Sequence, residues 1–467
     1  MTDFTNEAVE VYAVKDEADG YGLHAGALGP FETLAQSVSA MAPSTSASLT
    51  IPLVFALAGN ATWFVYLLAT SAILLVGFCV SRFAQLSASP GSLYSYTAST
   101  LPPFFGVVAA WALLLAYLGT GASVAGGALY YTDLFARQFV HISPPAIPCL
   151  VVVCSAAGLI AYRDVKLSAE LMLWIEIISV SLIALVLLML PFRIGFHLDM
   201  DQFQLKNVSF ATLGPALVLS IFSFAGFEAA TTLGGEAREP LRTIPRAVIQ
   251  CGVLAGVFFM LCSYAEVVGF RGEAARLGNA TSPLHMLAGK VGFSSLGVAI
   301  DFGAAVSMFA CVLACITAAA RVLMRMAHSG ILPAPLEQTS PRYKTPVAAI
   351  LLSAALMLLG TAVMAAFGFT GSEMYDLAGS LAVFGFLTAY ALVSIALPFA
   401  RRAMGQHSGT VAVVSVFSAL VMLMVAVFDI RSAADSAHAR IPYVYLAYIA
   451  AGIASYSLGR RRAAKTA

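Results

Sequence analysis

The sequence predicts an all-α membrane protein with twelve transmembrane helices. Three observations lead there. Hydrophobic residues make up 60% of the chain and charged residues 10%, whereas a soluble domain carries about 25% charged residues. A chain of 467 residues with so few charges cannot clothe a water-facing surface, and lipid must cover most of it. The apolar residues also gather into twelve stretches of about the 20 residues that cross a bilayer. Finally, Lys and Arg fall unevenly between the loops on the two sides. No Lys/Arg run has the character of a nucleic-acid patch.

In order, the spans are expected at residues 33–58, 62–86, 103–132, 145–162, 170–191, 211–234, 244–270, 295–327, 346–368, 374–399, 410–429 and 441–458. Placing the N-terminus in the cytoplasm puts 17 of the 25 Lys and Arg residues on the inner side, as the positive-inside rule requires. Both termini are then cytoplasmic, and the expected location is the cytoplasmic membrane. Residues 1–30 form an acidic cytoplasmic segment with Asp3, Glu7, Glu10, Asp16, Glu17 and Asp19 and without the apolar core of a signal peptide. Residues 31–400 are read as the transport core, 401–458 as two peripheral helices and 459–467 as a basic tail. The seven cysteines lie in or beside apolar stretches and include no Cys-x-x-Cys pair. They read as small buried hydrophobes rather than disulfide partners or zinc ligands. No cofactor or metal is expected.

Two spans are interrupted. The first contains Met41-Ala42-Pro43-Ser44-Thr45-Ser46-Ala47-Ser48, with Pro52 following. Proline removes a helical hydrogen bond and clashes with the preceding turn. The sixth contains Phe222-Ser223-Phe224-Ala225-Gly226-Phe227-Glu228, where glycine lowers helicity and a carboxylate stands in an apolar stretch. First and sixth are corresponding positions if the chain consists of two five-helix repeats. Broken helices at matching positions of two halves point to a transporter's binding site, because freed N–H groups attract anions and freed carbonyls attract cations.

These residues resemble the amino acid–polyamine–organocation (APC) superfamily of permeases, over about the first ten spans. The match is most specific at the sixth-span segment and at Gly235-Glu236-Ala237-Arg238-Glu239-Pro240-Leu241-Arg242-Thr243-Ile244-Pro245. That segment is similar to the family's Glu-x-x-Asn-Pro-x-Arg-x-Ile-Pro. Residues 320–346 resemble its loop after span eight, and Pro90-Gly91-Ser92-Leu93-Tyr94 its loop between spans two and three. Glu239 replaces the usual Asn. Aligning Pro52 with the family's downstream proline puts Thr45-Ser46-Ala47 in the unwound part of span one, where members often carry Gly-Ser-Gly. The resemblance implies a LeuT-like fold of two inverted five-helix repeats plus two peripheral helices. It also implies an amino acid, polyamine or related amine as substrate.

On that basis Ser44, Thr45, Ser46 and Ala47 are expected to meet a substrate carboxylate. Ala225 and Gly226, with Ser223 beside them, are expected to offer backbone to the amino group, and Phe222 to gate the site. Glu176 and Glu228 are candidate proton carriers, since an intramembrane carboxylate is a functional candidate by default. Many members carry a lysine near the Glu176 position, standing where related sodium-driven transporters bind a sodium ion; here the charge is reversed. Glu228 has an alternative role in capping the break and bridging helices. Tyr117, Ser123, Ser307 and the Gly379-Ser380 region are candidates for side-chain selectivity. Glu236, Arg238, Glu239, Arg242, Arg321 and Arg325 are candidates for an inner charge network. Glu266 and Asp301 are read as lying near the external ends of their spans, and His285 as a loop or interfacial residue.

The expected function is proton-coupled secondary transport of an amino acid or amine, with protons and the bilayer as partners. The alternatives are a polyamine/amino acid exchanger, or an ion transporter or channel on the same fold. No Gly-x-x-x-x-Gly-Lys-Ser/Thr loop occurs, and the scattered histidines offer no catalytic constellation.

Overall fold

The computed structural model describes residues 21–195, 198–205, 209–272, 277–406, 408–433 and 437–466. Most of the acidic N-terminal segment, including all six acids named above, lies outside the described residues, as do Lys206 and Arg276 of the charge asymmetry.

The described chain is helical from end to end. The helices are α1 (Pro30–Met41), α2 (Ile51–Ala58), α3 (Thr62–Ala84), α4 (Ser92–Ala98), α5 (Pro103–Phe135), α6 (Ala146–Arg163), α7 (Val165–Ile194), α8 (Phe210–Phe222), α9 (Pro240–Gly269), α10 (Pro283–Val291), α11 (Ser294–His328), α12 (Val347–Ala366), α13 (Gly371–Ala403), α14 (Gly409–Ala433) and α15 (Ile441–Thr466). Each of the twelve expected spans coincides with helix. Among the described residues, nine helical stretches are long and apolar enough to cross a membrane. The first of these, Pro30–Ala84, holds two expected spans, because the turn at Gly59–Ala61 is itself helical. The sixth span is represented by the short α8 and the 3₁₀ turn Ala229–Leu233 beyond its break.

Local chemistry sets the helix starts. Pro30 and Pro103 stand in the first turns of α1 and α5, where a missing N–H breaks no bond. Thr370 and Glu373 form a capping box at α13, which satisfies two orphan groups reciprocally. The polarity of the packed molecule is inverted. Trp174, Leu188, Leu359, Val413 and Leu420 stand exposed, while Ser, Thr and Glu side chains are buried among the helices. Such an apolar surface needs lipid around it.

The closest packing joins α5 to α13. A Cβ at Gly126 would lie 2.9 Å from the Gly371 carbonyl oxygen, and one at Gly371 would lie 2.6 Å from that of Gly126. Only small residues let two membrane helices approach backbone to backbone in this way.

Candidate functional site

The site begins where two helices stop. α1 ends because Ala42 turns left-handed, at φ 46° and ψ 69°, a conformation that strains a non-glycine residue by about 1–3 kcal/mol. The Ala42 N–H still donates to Val38 O and Ser39 O, at 3.1 and 3.2 Å. Pro43 then opens a new helical run, Pro43–Thr45, which passes through the wide π-type turn Ser46–Thr50 into α2. The break therefore lies one turn earlier than the family alignment of Pro52 implied. Thr45 and Ser46 are helical, with Thr45 at φ −64° and Ser46 at φ −63°. The reason is Pro43: having no N–H, it fits a helix start, and the left-handed Ala42 serves as its N-cap.

In the sixth span the chain leaves α8 after Phe222 and turns at Gly226, where φ is +91°. That angle favours glycine, and so does the space. A Cβ on Gly226 would sit 2.8 Å from the Ala40 Cβ and 3.1 Å from its carbonyl oxygen. The two breaks are thus in contact. Ala230 N–H, just beyond the second, donates to Ser37 Oγ at 2.9 Å, and Cys311 Sγ donates to the Ala40 carbonyl at 3.2 Å. Cys311, expected to be a mere hydrophobe, satisfies a carbonyl that the end of α1 leaves open.

Around this junction polar groups are buried without protein partners. Ser44 Oγ, Thr45 Oγ1 and Ser48 Oγ have no hydrogen-bond partner among the described residues, and each residue is buried. A buried hydroxyl without a partner costs about 1–3 kcal/mol. Three side by side on the first turns of one helical run mark a place for polar ligand atoms or water. Ser46 and Ala47 are buried beside them.

The two candidate acids differ. Glu228 is fully buried and saturated: Tyr117 donates to one oxygen at 2.8 Å and Tyr390 to the other at 2.6 Å. It ties the second break to α5 and α13. Glu176, on α7, accepts one bond, from Ser307 Oγ of α11 at 2.8 Å, and its other oxygen is unpaired. Ser307 is one helical turn from Cys311, on the same face of α11. Glu176 therefore stands beside the carbonyl end of α1, at the first break.

A cavity of about 810 Å³ opens toward one end of the molecule. Its lining includes Thr50, Pro52, Leu219, Phe222, Tyr375 and Asp376. Of the site residues expected from sequence, Phe222 and Ser380 line it. Phe222 packs against Gly379 and meets the Tyr375 ring at 6.1 Å between centroids. Tyr375 in turn shares a hydrogen bond with Thr50 at 3.0 Å, and Ser123 Oγ donates to its carbonyl at 2.5 Å. Phe222, Tyr375 and Thr50 thus form a wall between the cavity and the junction of the breaks.

A buried ion pair lies outside the cavity lining. Arg321 donates to both oxygens of Glu236 at 2.6 Å, with both residues buried, and its remaining nitrogen donates to Thr317 O at 2.8 Å. Residues 26–28 lie across this pair: Leu28 N–H donates to Glu236 O at 3.0 Å, Arg238 N–H to Leu28 O at 2.8 Å, and Arg238 Nε to Gly26 O at 2.9 Å. Of the expected charge network, Glu236–Arg321 is its buried bond. Glu239–Arg242 is an exposed pair, and Arg325 contacts Ser95 Oγ at 3.3 Å.

Sequence reasoning missed Thr50 and Tyr375; Tyr375 sits one turn before the Gly379-Ser380 region that was singled out. His285, expected to be a loop or interfacial residue, has a more definite setting. That residue lies on α10 and bonds the buried Asp301 at 2.6 Å, with Ser282 on the other Asp301 oxygen.

A family model described as amino acid permease matches residues 28–451. Over 72% of this chain and 73% of its own length, a branched-chain amino acid permease of Bacillus subtilis is 24% identical. A methylthioribose transporter of the same organism is 26% identical over 74% of each chain. A low-affinity putrescine importer of Escherichia coli K12 is 26% identical over 71% of this chain and 72% of its own. Among solved structures, a Na⁺-coupled sialic acid symporter in a substrate-bound outward-open state has the same fold, with a TM-score of 0.52 over 91% of this chain and 95% of that one at 13% identity.

Proposed function

Because this chain belongs to the amino acid permease family, and so is a multi-pass membrane protein, we propose that it carries an amino acid or related amine across the cytoplasmic membrane by alternating access, with a proton as coupling ion. The observation that carries this reading is the contact of the two helix breaks at Ala40 and Gly226, with the unpaired hydroxyls of Ser44, Thr45 and Ser48 buried on the adjoining run.

On this reading a substrate carboxylate meets the first turns after Ala42, where the hydroxyls of Ser44, Thr45 and Ser46 can donate. Ala47 keeps the space small. Ser223, Ala225 and Gly226 present backbone to the ammonium. Phe222 and Tyr375 form the gate toward the cavity, which we assign to the external side. Glu236–Arg321 and residues 26–28 form the cytoplasmic seal, and both termini are cytoplasmic. The distribution of Lys and Arg supports that orientation. Glu176 takes up and releases the proton, because its free oxygen faces the first break. Glu228, with both oxygens held by tyrosines, positions the second break.

A cationic amine is a second substrate reading. Glu373, Asp376 and Asp429 line the cavity, and no Lys or Arg does among the described residues. The putrescine importer among the relatives fits that chemistry.

The test is counterflow in proteoliposomes loaded with unlabelled amino acids or amines. Accumulation of the labelled counterpart is expected for at least one. Chemical conversion of the label without accumulation would sink the reading.

A further inference from the structure

One buried carboxylate is left without a role. Glu266 lies on α9, close to its end, and is fully buried. Neither of its oxygens has a hydrogen-bond partner among the described residues. Five other buried acids are held: Glu236 by Arg321, Glu228 by two tyrosines, Asp301 by Ser282 and His285, Asp199 by Arg271, and Glu176 on one side by Ser307. A carboxylate in the membrane interior is expensive unless a positive charge or donors balance it. Among the described residues none supplies either to Glu266.

Its surroundings connect it to the sixth-span break. Tyr66 of α3 is close enough to interact electrostatically with Glu266, and the Tyr66 hydroxyl bonds Ser223 Oγ at 3.1 Å. The Tyr66 ring packs on Phe259 of α9 at 5.5 Å, and Phe259 on Phe224 at 5.1 Å. Cys262, one turn before Glu266, also faces it. Among the described residues no charged side chain acts on Glu266 from the other elements packed against α9. Glu176 of α7 is directed to Ser307, His285 of α10 to Asp301, and Lys290 of α10 to the Gly269 carbonyl at 2.8 Å. The segments from Pro43 to Ala58 and Ala229 to Leu233 contain no ionisable residue.

We propose that Glu266 is the centre of a second ionic site, which takes one small positive charge, a proton or a sodium ion, between α3 and α9 and transmits its occupancy to the sixth-span break through Tyr66 and Ser223. The carboxylate supplies two oxygens and Tyr66 a third, suited to a hard monovalent ion; a proton would bind one carboxylate oxygen directly. This site is separate from Glu176 of α7, which adjoins the first break and bonds Ser307 of α11.

The test uses the purified full-length protein. Its Tm is measured from pH 5 to pH 9 in choline chloride, and at fixed pH as sodium or potassium replaces choline. Occupancy stabilises the folded state, so the wild-type Tm rises by about 2 °C or more, with falling pH if the charge is a proton and with sodium if it is that ion. Glu266→Gln abolishes the sodium response, or reduces the pH response to the part that Glu176 contributes. Should Glu266→Gln fail to yield monodisperse protein, Tyr66→Phe serves instead, and its midpoint in pH or sodium moves about tenfold. A variant that keeps the wild-type dependence on both pH and sodium overturns the proposal. Counterflow by wild type, measured in parallel, tests the transport reading separately and survives that failure.

Discussion

Replacing Glu236 by Gln leaves the Arg321 guanidinium buried without its anion, where now it makes two bonds of 2.6 Å to that carboxylate. Arg321 is 1% exposed and Glu236 0%, so water cannot compensate while the end stays sealed. Breaking a buried pair from one side costs about 3–5 kcal/mol, and in this case opening the seal relieves it. A bias of about 3 kcal/mol toward the open arrangement is roughly a hundredfold shift in a two-state equilibrium. Cys315 reports it, being fully buried on α11 two residues before Thr317, which accepts from Arg321. In a variant retaining Cys315 as its one cysteine, alkylation by a water-soluble maleimide is expected to accelerate by up to about a hundredfold on Glu236→Gln. Adding Arg321→Met removes the orphaned charge and brings the rate back toward that of the parent. Parent-like labelling of the single variant, or equally fast labelling of the double variant, would refute the assignment of this pair as the seal.

Three further outcomes are expected. Gly226→Ala forces a Cβ to within 2.8 Å of the Ala40 Cβ at φ +91° and should lower stability by about 2–4 kcal/mol, seen as a fall in Tm; an unchanged Tm would mean the breaks do not touch. Glu176→Gln should flatten the pH dependence of uptake while substrate still raises Tm; a wild-type pH profile would remove Glu176 from coupling. Tyr375→Phe loses its bond to Thr50, about 1 kcal/mol, and should loosen the gate. Faster release of bound label, by a few-fold, is the measurement, and a wild-type release rate would count against the gate.

The helices were legible because lipid contact demands long apolar runs, and both interruptions were legible because Pro43 and Gly226 cannot continue a helix undisturbed. The place of the first break was harder to read. The αL turn fell on Ala42, a residue with no preference for it, and it is Pro43 starting the next run together with the packing of Gly226 against Ala40 that places the turn there. The saturation of Glu228 was also invisible, since Tyr117 and Tyr390 lie 111 and 162 positions away in sequence. Glu266 and Glu176 look alike in sequence, each one acid in an apolar run. Their difference lies in what faces them: a serine hydroxyl for Glu176, and no donor among the described residues for Glu266.

The seam between α5 and α13 has a mechanical consequence. Helices whose carbonyls would meet a bare methyl at 2.6–2.9 Å have no side-chain layer to slide upon, so α5 and α13 form one stiff plank. Tyr117, Ser123, Tyr375 and Tyr390 are all mounted on it, at fixed spacings. The parts that meet them, Thr50 on the run after Ala42 and Phe222 before Gly226, hang from the two breaks. In the alternating-access cycle proposed above, the closing stroke falls to the broken helices swinging against this jamb, and the jamb sets the dimensions of the doorway.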